Sequence, residues 1–250
     1  MKVTSEEIIN VGDVSTTGYL RLDALFNIFQ DMAVLHTHKV GFELNDLLGA
    51  GKIWVLNRVV VQISQLPRFE ETIDIHTWSR KIVRFKGLRD FEMYSQGRSI
   101  IRASSLWVFV DINKGRPIRV PAEYENMYGI VQDRSTDVDV EAIKFEEISN
   151  PDYSLKVATR VSDYDINGHV NNAVVLQYIE TGIVRFFNGK NVIDEIQLMF
   201  LKEIPLQVDE VTLLLQKRSH GCLFEIENNG VVFVRGAVSI GANMNPSDSC

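Results

Sequence analysis

One pattern occurs twice along this chain, a helix followed by a run of strands, and no other feature limits the possible folds as much. Leu22, Leu25, Phe26, Phe29, Met32 and Ala33 recur at helical spacing and predict an amphipathic helix over 20–38. Stretches rich in β-branched and aromatic residues follow at 53–63, 72–78, 85–94 and 100–112 and read as strands. In the second half, 172–187 reads as a helix that is apolar around most of its circumference and so needs protein on most sides. Strand-like runs then recur at 195–201, 210–217, 223–227 and 231–240. The copies register: Gly18 falls on Gly168, Tyr19 on His169, Leu25 on Val175 and Phe29 on Ile179. Leu66-Pro67 falls on Ile204-Pro205 in a shifted register, which assigns extra, turn-like loop to 41–52. Between the copies, 133–150 is acid-rich with little periodicity and reads as a connection crossing the surface. The expected division is a domain over 1–132, a connection over 133–150 and a second domain over 151–250. The fold class is α+β, each half a long helix wrapped by a curved antiparallel sheet whose open edge the other half can cover.

Composition narrows the function classes. With 45% hydrophobic and 24% charged residues among 250, the chain is an ordinary globular one. A net charge of −7 argues against a nucleic-acid partner, because phosphate binding needs a basic surface. A local basic patch could still meet an acidic protein. Two cysteines, Cys222 and Cys250, suggest no disulfide framework, and a reducing compartment fits. The start, Met1-Lys-Val-Thr-Ser-Glu-Glu-Ile, has neither the apolar core of a signal peptide nor the Arg- and Ser-rich character of an import leader. No apolar run approaches the roughly 20 residues of a membrane helix. The expected location is the cytoplasm.

The chemistry concentrates in Asp163-Tyr-Asp165-Ile-Asn167-Gly168-His169-Val-Asn-Asn172, just before the second helix. A carboxylate, an amide and an imidazole, each two residues apart, can orient a carbonyl, polarise it and move a proton. Calcium binding fails because the twelfth position of the matching loop is Val174 rather than a bidentate Glu. Zinc has no ligand cluster: His36 and His38 are two apart on one helix and face different ways, and His76 and His220 stand alone. The glycine patterns of dinucleotide, nucleotide and serine-hydrolase sites are missing, so neither metal nor cofactor is expected. A helix-capping turn would explain Asn171 or Asn172. It explains His169 poorly, because the first copy has Ser15, Thr17 and Tyr19 at the matched places, which cap without acid–base chemistry.

Asp165-x-Asn167-x-His169-Val-Asn-Asn172, with Tyr178-Ile-Glu180 in the helix, resembles the active-site segment of the plant-type fatty acyl-acyl carrier protein thioesterases. Lys52-Ile-Trp54-Val-Leu-Asn-Arg58, Asp74-Ile-His-Thr-Trp78 and Arg102-Ala-Ser-Ser-Leu-Trp107-Val have counterparts there in the same order, and the similarity runs from about Gly18 to Ile240. The resemblance implies a tandem hot-dog fold and hydrolysis of fatty acyl thioesters carried by acyl carrier protein; the absent leader fits a bacterial member. The family's second motif, a strand ending in Glu-Cys, reads Lys202-Glu203-Ile204 here. Glu203 is therefore expected as the base that activates water, in an apolar setting of Phe200, Leu201 and Ile204. With Ile204 at the Cys place, attack by a thiol is not expected. His169 would hold the water or protonate the leaving thiolate, Asn167 would fix the carbonyl or the water, and Asp165 would orient both. The backbone N–H groups near His169 and Val170 are expected to form the oxyanion pocket. Which of Glu203 and His169 is the base stays open in the sequence.

By the same resemblance the acyl slot lies in the first half, with Phe29, Met32 and Trp54 as candidate lining. Carrier proteins are acidic, and Arg80, Lys81, Arg84, Lys86 and Arg89 form a basic run for docking, with Arg116 and Arg119 after a further strand. A surface loop would carry the same run without a partner. An acyl-coenzyme A thioesterase of the same fold and a non-catalytic acyl-binding module are the rival functions. The assembly is expected to be a monomeric pseudo-dimer or a homodimer.

Overall fold

The computed structural model describes residues 1–189 and 192–241, so Cys250 lies outside the described residues. Two compact units divide between Ile143 and Lys144. The first contains β1 (Lys2–Ile8), α1 (Leu22–Lys39), α2 (Leu44–Gly49), β2 (Lys52–Ile63), β3 (Thr72–Val83), β4 (Lys86–Ser95), β5 (Arg98–Asp111), β6 (Arg116–Pro117) and α3 (Glu123–Tyr128). The second contains β7 (Tyr153–Ala158), α4 (Asn172–Phe186), β8 (Val192–Phe200), β9 (Glu210–Arg218), β10 (Gly221–Asn228) and β11 (Val231–Gly241).

In the first unit the strands lie in the order β1-β3-β4-β5-β2, antiparallel throughout, with the short β6 on β5. Ile73 and Ile75 alternate with the exposed Thr72 and Asp74 along β3, which gives the sheet one dry face. Leu22, Leu25, Phe26, Phe29 and Met32 make the dry face of α1, and Phe29 stacks on Phe91 of β4 at 4.6 Å. His36 is buried and His38 exposed, as their spacing requires. The stretch 41–52, expected as loop, instead carries α2, whose Leu47 is buried with Phe109, Val120, Tyr124 and Tyr128. A one-and-a-half-turn helix between Gly41 and Gly51 leaves too few apolar repeats for a periodic signal.

A polar cluster is embedded in this unit. Arg89 donates to Nδ1 of His36 at 3.0 Å and to the Thr77 hydroxyl at 3.2 Å. Burial and the neighbouring guanidinium push His36 down to about 3, and burial pushes Arg89 down to about 10. The Asp90 side chain is wholly buried, which raises its carboxyl above the usual range. Its carboxylate accepts from the Ser135 N–H at 2.9 Å and pairs with Arg80 at 3.4 Å. The opening of the acid-rich stretch is therefore laid onto the first sheet: Ser135 also donates to the Phe91 carbonyl, and Thr136 bonds Ser104.

The second unit repeats the plan in the order β8-β11-β10-β9-β7, again antiparallel. Val211, Leu213 and Leu215 are fully buried at alternate positions of β9, under α4. Gly182 lets the helix settle there, since a Cβ would stand 2.1 Å from Cδ2 of Leu213. The helix is less enclosed than its composition predicts, because Val184 is 52% exposed. The close of the acid-rich stretch packs here: Glu225 accepts from the Ile148 N–H at 3.0 Å and forms an ion pair with Arg235 at 2.8 Å. Each unit is thus an α+β hot-dog, one long helix on one face of a five-stranded antiparallel sheet.

Candidate active site

The segment that carries His169 is a closed hairpin between β7 and α4. Its rungs run from the Asn171 N–H to the Asp163 carbonyl and from the Asp165 N–H to the His169 carbonyl, both at 2.9 Å. Gly168 closes the turn at φ 76°, in the left-handed region that glycine adopts without steric cost. Asp165 braces the turn from inside. One oxygen accepts the Asn167 N–H at 2.8 Å and the His169 N–H at 3.4 Å, and the other accepts the Asn167 side-chain amide at 3.3 Å. Asn171 then caps α4 by accepting from Ala173 at 2.8 Å.

The hairpin docks beside the chain that leaves β8. Val170 donates to the Ile204 carbonyl at 3.0 Å, and His169 pairs with Pro205. That pairing brings Nε2 of His169 to 3.1 Å from Oε2 of Glu203. The imidazole and the carboxylate therefore touch directly, with 32% and 53% of their side chains exposed. A carboxylate in contact with an imidazole on an accessible rim can take a proton from water and pass one to a leaving group.

The site departs from the sequence's expectation in two respects. The backbone donors assigned to an oxyanion pocket are occupied, because His169 N–H faces Asp165 and Val170 N–H is bound by Ile204. The apolar setting expected for Glu203 is incomplete: Ile204 is 2% exposed, but Leu201 is 42% exposed and Glu203 lies on the open side.

The first unit builds the same hairpin without the chemistry. Arg21 bonds the Asp13 carbonyl and Ser15 the Tyr19 carbonyl, each at 2.9 Å, and Ser15 and Thr17 bond each other at 2.7 Å. Leu20 donates to the Pro67 carbonyl, and Tyr19 pairs with Arg68. These bonds place Pro67 opposite Ile204 and Leu66 opposite Glu203, one residue away from the register that the two apolar-Pro pairs suggest. The register of the proline pairs would set Gln65 at the place of Glu203; the bonds put a leucine there instead, so the first copy lacks both the imidazole and the carboxylate.

The model of the acyl-ACP thioesterase N-terminal domain matches residues 2–128, and that of the C-terminal domain matches 147–240. The chain belongs to the acyl-ACP thioesterase family. Among curated members, an acyl-[acyl-carrier-protein] hydrolase of Cuphea viscosissima is 24% identical over 170 residues, covering 63% of this chain and 41% of that protein. An oleoyl-acyl carrier protein thioesterase of Arabidopsis thaliana is 25% identical over 192 residues, covering 69% and 51%. The chain thus spans about two fifths to one half of the length of these relatives. Among solved structures, the 12:0-ACP thioesterase from Umbellularia californica superposes with a TM-score of 0.85 at 18% identity, covering 96% of this chain and 97% of that one. An acyl-ACP thioesterase from Bacteroides thetaiotaomicron gives 0.78 at 23% identity, covering 96% and 98%. These two likenesses establish the double hot-dog fold.

Elsewhere in the chain the other candidate residues scatter. Phe29 and Met32 are buried on α1, Phe29 against Phe26 and Phe91. Trp54 sits elsewhere, on Phe109 at 4.9 Å and over Gly87, in the aromatic cluster that α2 and α3 cover. The basic run does not form one surface. Arg89 is buried in the His36 cluster, and Arg80 is held by Asp90 with 10% of its side chain exposed. Lys86 pairs with Glu141 at 3.2 Å, while Lys81 and Arg84 are exposed. Alternation along a strand sends neighbouring residues to opposite faces, which a run of letters conceals. Cys222 is 1% exposed and burial pushes its thiol up to about 12, so it is no nucleophile. Among the described residues no group of His, Cys, Asp and Glu is placed to hold a metal, and no helix is long and apolar enough to cross a membrane.

Proposed function

We propose that this chain hydrolyses fatty acyl thioesters of acyl carrier protein, releasing a free fatty acid and the carrier thiol. The observation that carries the proposal is the 3.1 Å contact between His169 and Glu203, found in the copy that has both residues and in a chain of this family. Water attacks the thioester carbonyl while Glu203 takes its proton through the oxygen not bound to His169. The tetrahedral intermediate collapses, the C–S bond breaks, and a protonated His169 hands its proton to the departing sulfur and is reloaded across their contact by the proton that Glu203 took from water. Charge on the developing oxyanion needs a fixed donor. The exposed amide of Asn167, steered by Asp165, serves in place of the occupied backbone groups. Phe29, Met32 and Trp54 are proposed to meet the acyl chain. The protein is taken to act in the cytoplasm, as a monomeric pseudo-dimer or a homodimer. Mixing the purified chain with acyl-carrier thioester and a thiol-reactive dye tests the activity. Thiol release with carrier-bound substrate at a higher kcat/KM than with the matching coenzyme A thioester is the expected outcome. Release from coenzyme A alone would assign the rival esterase, and no release from either would leave a binding module.

Docking is proposed to use a smaller basic patch than the sequence suggests. The Val120 N–H binds the Arg84 carbonyl at 2.7 Å, which brings the backbone next to Arg119 against that of Arg84, and Arg84, Arg119, Lys81 and Arg116 are all exposed. Charge reversal at Arg84 and Arg119 is expected to raise KM for carrier-bound substrate about tenfold at low salt and to weaken its salt dependence. KM for a short coenzyme A thioester should hold. Equal changes for both substrates would remove the patch from docking.

A further inference from the structure

The hairpin carrying His169 is fastened to α4 by a buried carboxylate–phenol bond, whereas its first-unit twin is tied to α1 through Arg21, which binds the Val14 carbonyl and the buried Asp23. Asp163 is 1% exposed. Its carbonyl closes the base of the hairpin on the Asn171 N–H, and its carboxylate accepts three bonds: from the Arg160 N–H at 2.9 Å, from Nε of Arg160 at 2.9 Å and from the Tyr178 hydroxyl. Tyr178, 3% exposed, comes from the second turn of α4. Burial, followed by the bond to Asp163, raises its phenol well above the ordinary range, so it stays a donor.

In the first unit Asp13 holds the same place, with its carbonyl on Arg21 and its carboxylate on the Asn10 N–H. Asp13 is only half-buried, and the residue matching Tyr178 is Ile28. That hairpin closes without a phenol or a guanidinium on its carboxylate. A buried carboxylate–phenol bond carries a desolvation cost that an apolar pair avoids, and in the second unit it ties the base of the hairpin directly to α4.

We propose that Asp163 and Tyr178 are positioning residues that pin the base of the hairpin to α4 and so hold His169 in reach of Glu203. This rests on the catalytic reading of His169 and Glu203 given above. A displacement of about 1 Å at a reacting group is enough to lower turnover markedly.

The test uses the full chain with acyl-carrier thioester. Tyr178→Phe keeps the ring and deletes one hydroxyl, and Asp163→Asn keeps the shape and removes the charge. Each is expected to lower kcat about tenfold with KM changed less than about twofold. In a His169→Ala background, Tyr178→Phe should cause no further loss, because it acts through that side chain. An unchanged kcat in folded Tyr178→Phe overturns the proposal. So does an equal loss in the His169→Ala background, which marks a purely structural bond. Should Asp163→Asn fail to fold, Tyr178→Phe decides alone. Full turnover in His169→Ala would overturn the catalytic reading together with this proposal. Loss there with none in Tyr178→Phe overturns this proposal only.

Discussion

Glu203→Gln is expected to lower turnover of carrier-bound thioester by about a hundredfold or more while leaving KM close to its starting value. Glutamine keeps the size of the side chain and an oxygen that can accept from His169 at the observed 3.1 Å. It cannot accept and hold a proton from water, so the chemical step suffers and binding does not. The side chain is 53% exposed and lies in the segment after β8 rather than in the core. Little stability should therefore be lost, and the melting temperature provides the control. The first unit offers a natural comparison, since Leu66 holds the equivalent place beside Tyr19. A variant that keeps most of its hydrolysis would remove Glu203 from the mechanism and leave it as a rim acid next to Lys202.

His169→Ala should fall by about the same hundredfold or more, for a different reason. The imidazole is the group placed to return a proton to sulfur, and its contact with Glu203 makes the pair act as a unit. Groups that act as a unit lose their effects together, so the double variant His169→Ala/Glu203→Gln should be hardly slower than either single variant. Multiplying losses would show two independent roles. A split between substrates with good and poor leaving groups separates proton donor from base. Loss at His169 should shrink with an activated aryl thioester, whose thiolate departs without help, whereas loss at Glu203 should persist.

Much of this molecule is legible in its letters because periodicity reports which face of an element is dry. The dry faces of α1 and α4 and the alternation of β3 and β9 follow from that rule, and so does the doubling of the plan. The hairpin is legible too, since Gly168 and the Asx residues around it have few other uses in such a row. Elements too short to repeat escaped, as α2 and α3 did. So did the fate of 133–136, which binds the first sheet through Ser135 and Thr136 although its composition is that of a surface connection.

What the sequence determined alone is the doubled architecture, the family and the asymmetry between a copy with His169 and a copy with Tyr19. Tertiary structure alone decided the rest. It set Glu203 against His169 through the pairing of Val170 with Ile204, and it matched Leu66 with Glu203 where the proline pairs pointed to Gln65. It turned Arg89 inward and left Arg84 and Arg119 exposed. The physical reason is the same in each case. Periodicity is a property of one element and is written locally, whereas register between distant segments is fixed by backbone hydrogen bonds, and a slip of one residue changes every partner while leaving the local pattern intact.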